Sequence, residues 1–365
     1  MFSWIFTGGI ALIWASALFN GTGLGNAYHA DQITFALLCC TSIIVFLMSR
    51  TRIISRDVFQ AFGGMIIVFV ASSLLHGFGL KIIKYFSCFL MVYILSNVKI
   101  STRSIRLAAM AVLLLGISIL VIFDYGSQLS GWNGNSIAMI GLFSYLIFVT
   151  AFWNEKLLRY KLLILIIGSI EFWLIAPTDS RSCQVALIMI GLLIILGSKP
   201  KFIQSKWQTL GVIMLPLVVA VVTVLLSSGG IVGQLDTWSR ETFSKPIFNG
   251  RDETWHTGFQ MLWQNLLFGN GNIDTLRWHN SSITCLVSFG VVGYSFWTYG
   301  LYVLLKRSQA YIDDSVVMGC TLCFLLMNTQ QSVELGMFTQ NPNLLIYLPL
   351  GLMLGRIKYL KEYQE

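Results

Sequence analysis

Residues 156–201 read KLLRYKLLILIIGSIEFWLIAPTDSRSCQVALIMIGLLIILGSKPK. Two apolar runs, 160–176 and 182–198, flank one polar hexapeptide, Pro177-Thr178-Asp179-Ser180-Arg181-Ser182, and a basic cluster closes each far end. A helix rises about 1.5 Å per residue, so each run approaches the roughly 20 residues needed to cross ~30 Å of hydrocarbon. Lipid offers no partner to a backbone N–H or C=O, and a helix satisfies these groups internally. The stretch therefore reads as two antiparallel membrane-crossing helices joined by a tight turn.

The same grammar runs along the whole chain. Of its 365 residues 56% are hydrophobic and only 11% charged, with a mean hydropathy of +0.73. Soluble domains carry about a quarter charged residues. A chain this apolar cannot cover its own surface in water. Apolar runs fall at 4–26, 33–49, 58–76, 80–97, 106–123, 135–153, 160–176, 182–198, 208–228, 281–305, 314–333 and 340–356. The expectation is an all-α integral membrane protein of about 12 transmembrane helices, one polytopic domain over 1–365. The first run lacks a basic leader and a small-residue cleavage site, so it reads as the first span rather than a cleavable signal.

Cation sidedness sets the orientation. With the N-terminus in the cytoplasm, the inner loops hold Arg50, Arg52, Arg56, Lys99, Arg103, Arg106, Lys156, Arg159, Lys161, Lys199, Lys201, Lys206, Lys306, Arg307, Arg356, Lys358 and Lys361. Every inner loop is then basic, as the positive-inside rule requires, and both termini are cytoplasmic. The net charge of +8 is accounted for by these clusters and is no sign of nucleic-acid binding. The seven cysteines form no paired motif and lie mostly in apolar runs, where they read as small buried hydrophobes.

One segment breaks the rhythm. Residues 229–280 form a long hydrophilic loop between the ninth and tenth spans, on the outer side. Within it Asn249 is a candidate cap for a short amphipathic helix, with Asp252 and Glu253 in its first turn. Trp255, Phe259, Leu262 and Leu266 recur there at helical spacing. Such a helix would lie along the membrane surface or cover a cavity.

Cations left on the outer side need a reason other than topology. They are Lys81, Lys84, Arg181, Arg240, Lys245, Arg251 and Arg277, and the four histidines, His29, His76, His256 and His279, fall on the same side. Arg181 and Arg251 each stand at a helix N-terminus, where free N–H groups and the helix dipole favour an anion. A guanidinium adds bidentate geometry for phosphate oxygens. The bland alternatives are an Arg181–Asp179 pair steadying the turn, and Arg251 as a rim charge. Lys81 and Lys84, beside His76, either widen a basic patch or snorkel to the interface. His279, where the loop re-enters the membrane, is either a general base or a structural cap.

His279-Asn280, nine residues, then Gly290-Val291-Val292-Gly293 resembles the signature of the O-antigen ligase and polymerase superfamily. The Asp179-Ser180-Arg181-Ser182 turn is similar to that family's Thr/Ser-Arg-Gly/Ala/Ser element. Gly250-Arg251…Trp255…Leu267-Phe268-Gly269-Asn270-Gly271 is similar to its Gly-Arg…Trp…Pro-Leu-x-Gly-x-Gly segment, with Asn265 or Leu266 where a Pro is common. The resemblance covers roughly 175–300.

It implies a metal-independent, inverting glycosyltransferase without cofactor in the bacterial inner membrane, its site facing the periplasm. The donor and acceptor would be oligosaccharides on undecaprenyl diphosphate. Arg181 and Arg251 would bind the diphosphate, and His279 would deprotonate or orient the acceptor hydroxyl. Lys81, Lys84, His76, Asn280, Trp255, Arg277 and Asp179 would line the diphosphate or glycan site. A repeat-unit polymerase for surface polysaccharide is favoured by the compact loop and modest length. The alternatives are a ligase that hands lipid-linked glycan to lipid A–core, and a transporter of an anionic or lipid-linked sugar. A membrane partner that regulates chain length is also expected.

Overall fold

The computed structural model describes residues 2–20, 30–48, 56–76, 94, 98, 101–125, 134–152, 158–178, 180–196, 206–244, 246–248, 250–271 and 278–311. Lys81, Lys84, Asp179, Asn249 and Arg277 lie outside these residues, as do the expected spans 314–333 and 340–356 and nearly all of 80–97. Every regular element among the described residues is helical. They are α1 (Phe2–Asn20), α2 (Ala30–Met48), α3 (Arg56–His76), α4 (Thr102–Tyr125), α5 (Gly134–Phe152), α6 (Leu158–Ile175), a 3-10 turn (Ala176–Thr178), α7 (Arg181–Leu196), α8 (Lys206–Ser228), α9 (Ile231–Phe243), α10 (Arg251–Gln264) and α11 (Ser281–Tyr311).

The apolar runs expected at 4–26, 33–49, 58–76, 106–123, 135–153, 160–176, 182–198, 208–228 and 281–305 each overlap one of these helices over the described residues. Among the described residues, Thr102–Ile122, Leu158–Thr178 and Ser281–Val303 are long and apolar enough to cross a membrane. Ile213–Ser228 and Ile231–Thr242 pass together as a pair bent by 97°. The exposed surface agrees with lipid contact. On α6, Leu162, Ile166, Ile170 and Trp173 form an exposed stripe at helical spacing, with Trp173 69% exposed. Water would penalise so large an apolar patch, whereas hydrocarbon does not.

The core begins at α5. Residues 137–149 of that helix are buried on every side, so it is wrapped by protein rather than by solvent or lipid. It packs on α4, α6 and α7. Small residues let these helices approach closely. A Cβ at Gly116 would meet the Ser144 hydroxyl, and one at Gly168 would meet the phenol of Tyr145 (Oη at 2.5 Å). That phenol donates to the Ile164 carbonyl (3.0 Å), so its polar end is satisfied inside the bundle. Glu171 is different. It is fully buried beside Gly141 and Leu120, and among the described residues neither carboxylate oxygen has a partner within hydrogen-bond geometry. The Ser144 hydroxyl, which lies beside the carboxyl, donates to the Gly141 carbonyl (2.7 Å).

A second set of helices carries the outer loop. Helix α11 packs on α3, α8 and α10. Phe69 of α3 stacks on Phe289 of α11 with ring centroids 4.0 Å apart, and Gly64 makes room for the Phe296 ring.

The loop 229–280 carries two helices rather than the one expected. Helix α9 occupies 231–243 and α10 occupies 251–264. The end of α8 turns into α9 through Gly229-Gly230, with Gly230 in the left-handed region (φ 73°). The start of α10 also differs from expectation. Its N-cap is Gly250, again left-handed (φ 74°), with no side-chain cap bond. A positive φ suits glycine, which has no Cβ to clash. Of the apolar face expected on α10, Trp255 and Leu262 are buried and Phe259 packs against them. Leu266 falls beyond the helix and is exposed.

Candidate functional site

The site is built around a break in α11. Gly290 has φ 67° and ψ −170°, a combination that splits the helix between Ser288 and Val291. A break in so apolar a helix frees backbone groups that apolar surroundings cannot satisfy, so protein must supply their partners. The stretch Leu266–Gly271 does so. Asn270 and Gly271 donate their N–H groups to the carbonyls of Val287 (2.8 Å) and Ser288 (3.0 Å). Val291 and Val292 in turn donate to the carbonyls of Leu266 (2.9 Å) and Leu267 (3.2 Å). From α3, the Ser72 hydroxyl reaches the carbonyls of Phe268 (3.0 Å) and Ser288 (3.2 Å).

The backbones meet so closely that only glycines fit. A Cβ at Gly290 would strike the Leu267 carbonyl, and one at Gly269 would lie 2.5 Å from the Phe289 nitrogen. The two glycine-bearing segments, 267–271 and 290–293, thus form one structural unit. His76 joins it from the end of α3, where its imidazole Cγ would be 2.9 Å from a Cβ at Gly271.

His279 sits just before α11 begins. Its φ is 51°, a left-handed conformation that costs a non-glycine residue about 1–3 kcal/mol and that histidine adopts more readily than most. Both neighbours are held in place. The buried Trp255 of α10 donates from its indole N–H to the Trp278 carbonyl (2.7 Å). Gly258, one turn on, allows the Trp278 ring against α10.

Asn280 is fully buried, and its side-chain oxygen accepts from the N–H groups of Ser282 (3.0 Å) and Ile283 (3.2 Å). Its amide nitrogen donates to the Pro216 carbonyl in α8 (2.9 Å). Asn280 therefore caps α11 and ties it to α8. The half-buried His279 lies between these two fixed residues.

Arg251 opens α10. Its N–H donates to the Phe248 carbonyl (3.1 Å), and the N–H groups of Ile247 and Phe248 are held by the Asp236 carboxylate of α9 (2.7 and 2.9 Å). Asp252 accepts from Ser227 at the end of α8 (2.6 Å). Burial lowers the pKa of the Arg251 guanidinium, because charge is costly away from water.

Arg181 is exposed at the start of α7, whose packing partners are α6 and α5. The bonds of Trp255 and Asn280 set His279 where α8, α10 and α11 pack together; Arg251 opens α10 one turn before Trp255, and His76 lies beside Gly271. His256 and Gln260 pair on the exposed side of α10 (2.9 Å). Among the described residues no three His, Cys, Asp or Glu side chains gather as metal ligands.

A cavity of about 420 Å³ opens between α8 and α11, lined mainly by apolar atoms. Tyr294 and Met214 stand in its wall and Lys206 at its far end. Tyr294 donates to the Ser282 hydroxyl, two residues from Asn280 (3.2 Å), which links the cavity wall to the start of α11.

Sequence reasoning missed Trp278, Ser72, Pro216 and Asp236. Each acts through a contact far away in sequence, and none has a local motif that announces it. The chain matches no known family, no curated protein and no solved structure.

Proposed function

We propose that this chain is a membrane glycosyltransferase that polymerises lipid-linked oligosaccharide repeat units, as its resemblance to the O-antigen polymerase and ligase superfamily implies. The observation that carries this reading is His279. It is held left-handed between two immobilised neighbours, beside the helix that Arg251 begins. Strain of this kind persists where the surroundings over-determine it, and such sites are commonly functional.

In the reading, about 12 helices cross the bacterial inner membrane with both termini cytoplasmic, and the site faces the periplasm. Arg251 and Arg181 bind the diphosphate of an undecaprenyl-linked glycan, Arg181 approaching from α7. His279 takes the proton of the acceptor hydroxyl. That oxygen attacks the anomeric carbon from the face opposite the leaving group, the carbon–phosphate oxygen bond breaks, and undecaprenyl diphosphate departs. Configuration inverts. The arginines balance the charge that grows on the leaving diphosphate, without a metal. The apolar cavity between α8 and α11 is suited to an isoprenoid tail.

A deletion strain tests the reading. Loss of a polymerase leaves surface glycan capped with a single repeat unit. Bare core with accumulated lipid-linked polymer would instead assign the ligase reaction, and unchanged surface glycan would reject both.

A further inference from the structure

Helix α9 has three distinct stripes. Val232 and Ser239 are buried (3% and 1% exposed), and Asp236 between them holds the loop that precedes α10. Ile231, Leu235 and Trp238, at i, i+4 and i+7, form an exposed apolar stripe about a quarter-turn away, at 41%, 36% and 53% exposure. Gln234, Thr237 and Glu241 form a polar stripe on the remaining side, also exposed. A helix at a protein–water boundary needs only an inward and an outward face. A third, apolar face asks for a third medium.

The geometry supplies one. Helix α9 leaves α8 at 97°, so if α8 crosses the bilayer α9 runs in its plane. Exposed apolar residues of α8, among them Val218, Val222 and Leu225, run up to that bend, and the exposed stripe of α9 follows it in the chain. We infer that α9 is an interfacial helix, with Ile231, Leu235 and Trp238 sunk into the headgroup–acyl boundary of the outer leaflet and the polar stripe in water. The inference rests on the membrane reading of α8.

It gives the helix a purpose. Asp236 grips the N–H groups of Ile247 and Phe248, and the Phe248 carbonyl receives the Arg251 N–H. A helix anchored at fixed depth therefore fixes the depth of Arg251. A cation that meets the diphosphate of a lipid carrier has to stand at headgroup level. Amphipathic helices with a Trp on the apolar face take up this position.

The test uses the full-length protein in lipid nanodiscs. Single p-acetylphenylalanine residues carry an oxime-linked nitroxide, which leaves the native cysteines untouched. Labels go at Leu235 and Trp238, at Gln234 and Glu241, and at Val218 and Val222. Relaxation by oxygen reports lipid exposure, and relaxation by a water-soluble nickel chelate reports aqueous exposure. The expected result is an oxygen-to-nickel ratio several-fold higher at 235 and 238 than at 234 and 241, and lipid-like at 218 and 222. Equal ratios on the two stripes, with 218 and 222 still lipid-like, overturn the inference alone. Water-like ratios at 218 and 222 overturn it together with the membrane reading of α8. Labels at 235 and 238 shielded from both reagents overturn it in favour of a protein partner on the stripe.

Discussion

Replacing Gly290 by alanine probes the joint on which the site is built. The backbone at φ 67° and ψ −170° is a region almost confined to glycine, and forcing another residue there costs about 1–3 kcal/mol. The new methyl would also collide with the Leu267 carbonyl. Relieving the collision means moving 266–271 away from the break and weakening its hydrogen bonds, each of which contributes about 1 kcal/mol. Together these give a loss of about 3–6 kcal/mol, a large part of the 5–15 kcal/mol typical of a folded protein. At about 2 °C per kcal/mol, the apparent Tm falls by about 6–12 °C. Gly211→Ala is the control. Gly211 lies within α8 with open space where its Cβ would be, so alanine there stabilises by about 0.5–1 kcal/mol. Thermal melting in detergent by intrinsic tryptophan fluorescence, at one scan rate, measures both. A Gly290→Ala protein that melts within about 2 °C of the parent would refute the reasoning, since a strained joint cannot be altered for so little.

Other changes follow from the same contacts. Asn280→Ala removes the α11 cap and the tie to Pro216, and should cost about 1–3 kcal/mol in the same melting assay, with Asn280→Asp recovering the capping share. Trp255→Phe keeps the packing but frees the Trp278 carbonyl. The initial rate of glycan transfer should drop about tenfold to a hundredfold as His279 loses its register, with KM for the donor nearly unchanged. Glu171→Leu removes a fully buried carboxyl whose oxygens have no partner within hydrogen-bond geometry among the described residues, and should raise stability by about 1–3 kcal/mol. A lower Tm for that variant would mean that the carboxyl has a partner in the membrane.

Helix positions were legible because apolar runs of spanning length have few other ways to be housed. The two ends of α6 and α7, with Arg181 opening α7, follow from the stretch 156–201 almost residue by residue. Helix α9 was harder to see. Its apolar residues are only Ile231, Val232, Leu235, Trp238 and Phe243, diluted by charge, and the spacing of Ile231, Leu235 and Trp238 after Gly229-Gly230 was the available signal. At α10, Asn249 suggested a side-chain cap, yet a chain entering the helix at positive φ selects Gly250 instead. His279 and Arg251 could be chosen by residue type and position. What joins them could not, because the bonds from 266–271 to the break in α11, and from Trp255 to Trp278, link segments whose meeting no local pattern encodes.

The most direct measurement takes the purified chain in liposomes, supplied with an undecaprenyl-diphosphate-linked repeat unit in metal-free buffer. The account predicts a ladder of lipid-linked polymer with undecaprenyl diphosphate released at each addition, and no ladder from His279→Ala. Wild-type protein that makes no polymer from its cognate unit, or a His279→Ala protein that makes it at the normal rate, would contradict it.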